Sequence, residues 1–168
     1  MPNQNLERSC AKLGFELAEA AKGDGMLSKS DKTKIVNTIN KAVGVLNADG
    51  PFAYLVWLEY KNSLNPKIED KEGNVAKLIH QKSYDILSEE GFIDATQWTD
   101  GWKKLKKIFI GKENVAGICD NIHQMFFVKG ILEKMLTYAL YSAKAFKAAE
   151  SPSTGSEKDN DTPVEEES

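Results

Sequence analysis

From Leu6 to Ala21 the apolar residues Leu6, Cys10, Leu13, Leu17 and Ala20 recur at intervals of three and four, the spacing that gathers side chains on one face of a helix. Asn3 or Asn5 is available as its N-cap, and Gly23 and Gly25 stop it. Ser28 or Ser30 can cap a second helix with an inner face of Ile35, Ile39, Ala42, Val43 and Leu46, ending near Asn47. Asp49-Gly50-Pro51 then predicts a tight joint, with the aspartate as cap and the proline early in the next helix, where its missing N–H costs nothing. In that third helix Phe52, Leu55, Val56, Trp57, Leu58 and Tyr60 cover more than one face, which predicts the central element of the core. Asn65-Pro66 ends it.

A polar loop over Pro66 to Gly73 precedes a fourth helix, periodic at Val75, Leu78, Ile79, Lys82, Ile86 and Leu87 until Gly91. Trp98, Trp102, Leu105 and Phe109 mark a fifth, with Lys103, Lys104, Lys106 and Lys107 in the gaps. From Glu113 to Glu150 apolar positions from Ile118 to Phe146 fit one long helix or two meeting near Gly130. No run alternates strictly and no Asn-Gly turn joins β-branched segments, so strands are not expected. The expected fold is all-α, a single compact bundle of about five to seven helices over residues 1–150. Residues 151–168 hold Pro, Ser, Thr, Gly and acids with Val164 alone apolar; such a segment cannot offset its ordering entropy and is expected to be a disordered acidic tail.

Composition narrows the picture further. With 168 residues, 41% apolar and 28% charged, the chain fits one domain whose core needs neither disulfides nor a structural metal. The net charge of -3 is uneven: the tail carries six acids against Lys158, leaving a body with 21 basic and 19 acidic residues whose only arginine is Arg8. That balance excludes histone-like coating of DNA but permits a local lysine patch on phosphates. Cys10 and Cys119 belong to no CxxC pair and are expected as free buried thiols in a reducing cytoplasm. The N-terminus lacks a basic start followed by an apolar run, and Lys129 and Gly130 interrupt the greasiest stretch, so neither signal peptide nor membrane span is expected.

Candidate chemistry is sparse. Asp120 and His123 have the carboxylate-histidine spacing of helical di-iron sites, but those need a second such pair, and His80 has Lys77 at that offset. Cys119 and His123 share a helical face and would need Cys10 nearby to hold a metal. No phosphate-cradling glycine loop or nucleophile elbow occurs, and the adjacent Glu89 and Glu90 do not point into one cleft. No catalytic residue, metal or cofactor is expected. The strongest local signal is the lysine series from Lys103 to Lys107, which is either a solvated helix face or a track for a nucleic-acid backbone, since ammonium groups hold phosphates without reading sequence. Lys29, Lys32 and Lys34 form a second, weaker cluster.

Two segments resemble the small subunit of type III-B CRISPR effector complexes, the Cmr small subunit. VLNADGPFAYLVWLEYK, Val45 to Lys61, is similar to that family's helix, short Asn-Gly-type turn and second helix rich in Ala, Leu and aromatics ending in Lys. EKMLTYALYSAKAFKA, Glu133 to Ala148, is similar to its closing helix, with a Glu, then leucines, then an aromatic and a basic residue before Phe-Ala; Ala145 stands where the family has a second basic residue beside Lys144. The resemblance implies a cytoplasmic, non-catalytic subunit of an antiviral ribonucleoprotein. It would stack with copies of itself and with other CRISPR effector subunits, along guide RNA paired to target RNA. Lysines would then hold RNA backbone, and the candidates are Lys103, Lys104, Lys107, Lys144 and Lys147; Lys144 matches the closing helix and the others rest on charge. The rival reading is a self-contained protein-interaction module without nucleic acid, docking a partner on the final helix through exposed Tyr138 and Tyr141.

Overall fold

The computed structural model describes residues 5–63, 70–93, 101–112 and 115–149. Helix α1, Leu6–Lys22, starts where the Asn5 side chain accepts the backbone N–H of Arg8 and ends at Gly23. Ser28 opens the second element: its hydroxyl accepts from the Asp31 N–H at 3.0 Å and donates to the Asp31 carboxylate at 2.7 Å. Helix α2, Lys29–Ser63, then runs through the predicted joint and bends at Gly50, whose φ of 89° breaks the helical path just before Pro51. A side chain at that φ would be strained, so glycine is what lets one long helix become two differently aimed halves.

Asp70 caps α3, Lys71–Glu89, by accepting from the Glu72 N–H. After α4, Gly101–Ile110, two-residue strands β1 (Gly111–Lys112) and β2 (Val115–Ala116) pair antiparallel, a hairpin too short for sequence periodicity to signal. A single 3-10 turn, Ile118–Asp120, leads to α5, Ile122–Ala149, one continuous helix through Gly130. Among the described residues the fold is an all-α bundle of five helices, and no helix is long and apolar enough to cross a membrane.

Contacts fix the arrangement. Helix α5 is the axis: α1 lies parallel to it, with Cys10 reaching the Ile131 carbonyl near one end and Lys22 reaching the Phe146 ring at the other. The first half of α2 runs antiparallel to α5, and its second half antiparallel to α3 through Tyr54–Ser83 and Lys61–Glu72. Helix α3 returns along α1, tied by Lys82–Glu16 at 2.7 Å. The core is filled by Leu13, Leu17, Ile39, Leu46, Leu55, Leu58, Ile79, Leu87, Leu132 and Leu136.

Besides the short hairpin, where no strand is expected, three sequence expectations change. In the second half of α2, Val56 and Tyr60 are exposed while Tyr54 is fully buried, so the helix turns one face to the core and does not bury its whole circumference. Cys10 is buried, its thiol pushed up to about 11 by desolvation, whereas Cys119 is exposed in the 3-10 turn, outside the core that its apolar neighbours suggested. Tyr138 is half-buried: its ring meets Phe15 edge-on at 5.8 Å, and its hydroxyl donates to Glu7. Trp98, Asn65, Pro66 and the tail 151–168 lie outside the described residues.

Candidate nucleic-acid interface

The lysines between Trp102 and Phe109 do not act as one set. Leu105 and Phe109 turn inward and are fully buried, which directs Lys103 and Lys107 to solvent. Lys106 points sideways instead and donates to Glu59 of α2 at 2.6 Å, bracing α4 against the second half of α2. Lys104 belongs to α4, and its side chain, like that of Trp102, lies outside the described residues. Half of the apparent stripe is therefore free to meet a ligand.

Lys144 and Lys147 are exposed on the last two turns of α5. The Lys144 ammonium lies 5.8 Å from the Tyr141 ring centroid, a contact that leaves its charge facing outward. Lys22, the last residue of α1, sits 5.0 Å from the Phe146 ring, and Lys22 and Lys32 border the same shallow recess with Ala143 and Phe146. Sequence reading missed Lys22 and treated the Lys29–Lys34 cluster as separate. The signal was present, since a basic last turn of one helix and a basic first turn of the next must lie together across a short connection.

The five predicted lysines thus divide into two patches. Helix α4 packs on the 3-10 turn at the N-terminal end of α5, while Lys144 and Lys147 crown its C-terminal end. The rise of 1.5 Å per residue puts Ile122 and Lys144 roughly 33 Å apart along the helix. One extended polyanion can bridge them; one compact ligand cannot.

The groups considered for catalysis occupy structural positions. The Asp120 carboxylate accepts from the Gly117 N–H at 2.7 Å, and Asn121 caps α5 by accepting from the N–H groups of His123 and Gln124. His80 is buried in α3, and desolvation pushes its imidazole down to about 3. Glu89 faces Lys12 at 4.0 Å, and desolvation followed by its neighbour Glu89 raises the Glu90 carboxyl. Among the described residues no three His, Cys, Asp or Glu side chains converge.

The outer face of α5 carries a groove of about 670 Å³ bordered by Leu6, Phe126, Phe127, Gly130, Thr137 and Tyr141. Phe126, Phe127 and Tyr141 are at least half exposed there. At its edge Glu7 accepts from Lys134 and from Tyr138, and those two contacts, Lys134 first, hold its carboxyl below the ordinary value. Compared with known protein families, curated proteins and solved structures, the chain matches none.

Proposed function

We propose that this chain is a non-catalytic helical subunit of a type III CRISPR ribonucleoprotein, acting in the cytoplasm beside copies of itself and other effector subunits, and holding guide and target RNA by their phosphates through lysines. The observation that carries the reading is a contact between the two segments of the resemblance. Asn47, in the first, donates to Glu133, the first residue of the second, at 3.2 Å across 86 positions, and Lys129 donates to the Asn47 carbonyl at 3.1 Å. The resemblance therefore falls on one packed unit, the bend of α2 seated on α5. Exposed lysines at both ends of α5 add support, since an RNA strand running along the bundle passes both. Phosphate contacts of this kind give sequence-independent, salt-sensitive affinity.

The test is purification of the tagged chain from its native host, with mass spectrometry of associated proteins and sequencing of bound RNA. The expected result is recovery of large CRISPR backbone subunits with short repeat-derived RNA. Recovery of the chain with one unrelated protein and no RNA would overturn it in favour of a docking module, the reading that the aromatic groove on α5 favours.

A further inference from the structure

We infer that the acidic segment 151–168 docks on the lysine cluster at the C-terminal end of α5, formed by Lys22 of α1, Lys29 and Lys32 of α2, and Lys144 and Lys147 of α5, and leaves the α4 lysines uncovered. The inference goes beyond the RNA reading and does not depend on it.

Three helix ends meet at this point, and their dipoles account for only part of the charge. Lys22 and Lys147 close α1 and α5, where a C-terminal partial negative charge favours cations. Lys29 and Lys32 open α2, where the N-terminal partial positive charge disfavours them. Positive side chains added to a positive helix end make a seat for anions; among the described residues the acids at these helix ends are Glu19, Asp24 and Asp31, the last engaged with Ser28, and in the sequence Glu150 follows α5. Lysines outnumber them.

Covalent continuity supplies the occupant. Helix α5 ends at Ala149, so the tail emerges two residues beyond Lys147. Its first acid is Glu157, and six acids against Lys158 make it strongly anionic. As the disordered chain its composition predicts, the eight residues from Ala149 to Glu157 have a root-mean-square span of about 16 Å. That is half of the roughly 33 Å that separates the ends of the bundle, and even the last acid, Glu167, eighteen residues beyond Ala149, has a span of about 24 Å, so the tail's charge is concentrated at the near cluster and falls short of α4. A tether of this length gives the tail an effective concentration on the order of millimolar at the near cluster. Attraction between opposite charges in that geometry is favoured at low salt and screened at high salt.

The test compares nuclear magnetic resonance spectra of the full chain with those of an equally long neutral-tail variant carrying Glu157→Gln, Asp159→Asn, Asp161→Asn, Glu165→Gln, Glu166→Gln and Glu167→Gln. The tail keeps its length, so a change at Lys22 or Lys32, on other helices, reports lost charge contact and not altered covalent structure. The expected result is that amide signals of Lys22, Lys29, Lys32, Lys144 and Lys147 shift together on neutralisation. The same signals should shift in the same direction when salt rises from 20 mM to about 500 mM, where the Debye length falls below about 5 Å. Signals of Lys103 and Lys107 should stay in place. Spectra that coincide at both ends, or shifts at Lys103 and Lys107 as large as those at Lys22 and Lys32, overturn the inference.

Discussion

Tyr54 and Ser83 share a buried hydrogen bond, 2.8 Å between their hydroxyl oxygens, in the seam between α2 and α3. Ser83 also reaches the Ile79 carbonyl at 2.8 Å, so its proton goes there and the Tyr54 hydroxyl donates to Ser83. Desolvation holds the Tyr54 phenol well above its ordinary value. The pair is asymmetric. In Tyr54→Phe, Ser83 keeps its carbonyl partner, and the expected cost is about 0.5–1.5 kcal/mol. In Ser83→Ala, a fully buried phenol loses its partner, and about 1–3 kcal/mol is expected. Urea unfolding of both variants checks the order; an equal or reversed cost would show that the hydroxyl finds another acceptor.

Gly14 and Gly130 lie on adjacent helices and predict opposite outcomes. A Cβ at Gly14 would stand 2.6 Å from the Met135 carbonyl oxygen and 2.7 Å from the Tyr138 Cβ. Gly14→Ala must push α1 off α5, and about 1–3 kcal/mol of destabilisation is expected. A Cβ at Gly130 meets nothing within 4 Å, in a helix interior at negative φ. Gly130→Ala should therefore stabilise by roughly 0.5–1 kcal/mol, because the unfolded chain loses freedom. Thermal unfolding reads both signs.

The helices were legible because their signals are local. Asn5 and Ser28 cap by side-chain contacts within three residues, and Asp49-Gly50-Pro51 marks the bend of α2. Asp70 caps α3 in the same way, but it falls within the loop expected to run to Gly73, so that helix starts earlier than expected. What sequence hides is which outward residue finds a partner on another helix. Val56 reads like Leu55 and Leu58, yet it is 43% exposed, because nothing among the described residues covers that side of α2. Lys106 reads like Lys107, yet Glu59, 47 positions away, holds it. Lys144 and Lys107 read as one candidate site, and only the length of α5 separates them.

His80 predicts a pH dependence of stability. Its imidazole titrates at about 3 when folded and near 6.5 when unfolded, because burial disfavours the cation. Between these values the unfolded chain binds a proton that the folded chain does not. Stability is therefore fully present above about pH 6.5 and lost as pH falls toward 3. The slope from this residue approaches about 1.4 kcal/mol per pH unit. The window from pH 6 to 5 lies above the ordinary carboxylate range, and since the raised carboxyls of Asp85 and Glu90 act alike in both proteins, the difference between wild type and a His80 variant isolates the effect. His80→Leu, which cannot take up the proton, should flatten the stability curve there; an unchanged slope would place its origin elsewhere.

The proposed RNA contact and the inferred tail docking together predict a definite mutational pattern. A 20-nucleotide single strand is long enough to span both ends of α5, and each ammonium-phosphate contact adds about 0.7 to the slope of log affinity against log salt. In the full chain, the docked tail competes for the cluster at Lys144 and Lys147, so the slope rests on the α4 lysines. Lys103→Glu with Lys107→Glu should lower it by about 1.4. Lys144→Glu with Lys147→Glu should leave it nearly unchanged until the tail acids are neutralised, and lower it by a similar amount afterwards. Lys106→Ala removes a partly exposed brace, expected to cost under about 1 kcal/mol of stability, and should not change the slope. Fluorescence anisotropy across a salt series distinguishes the cases. If Lys144 and Lys147 carry the slope while the tail is still charged, the tail does not cover them. If neither pair changes it, phosphate contact lies on another face of the bundle.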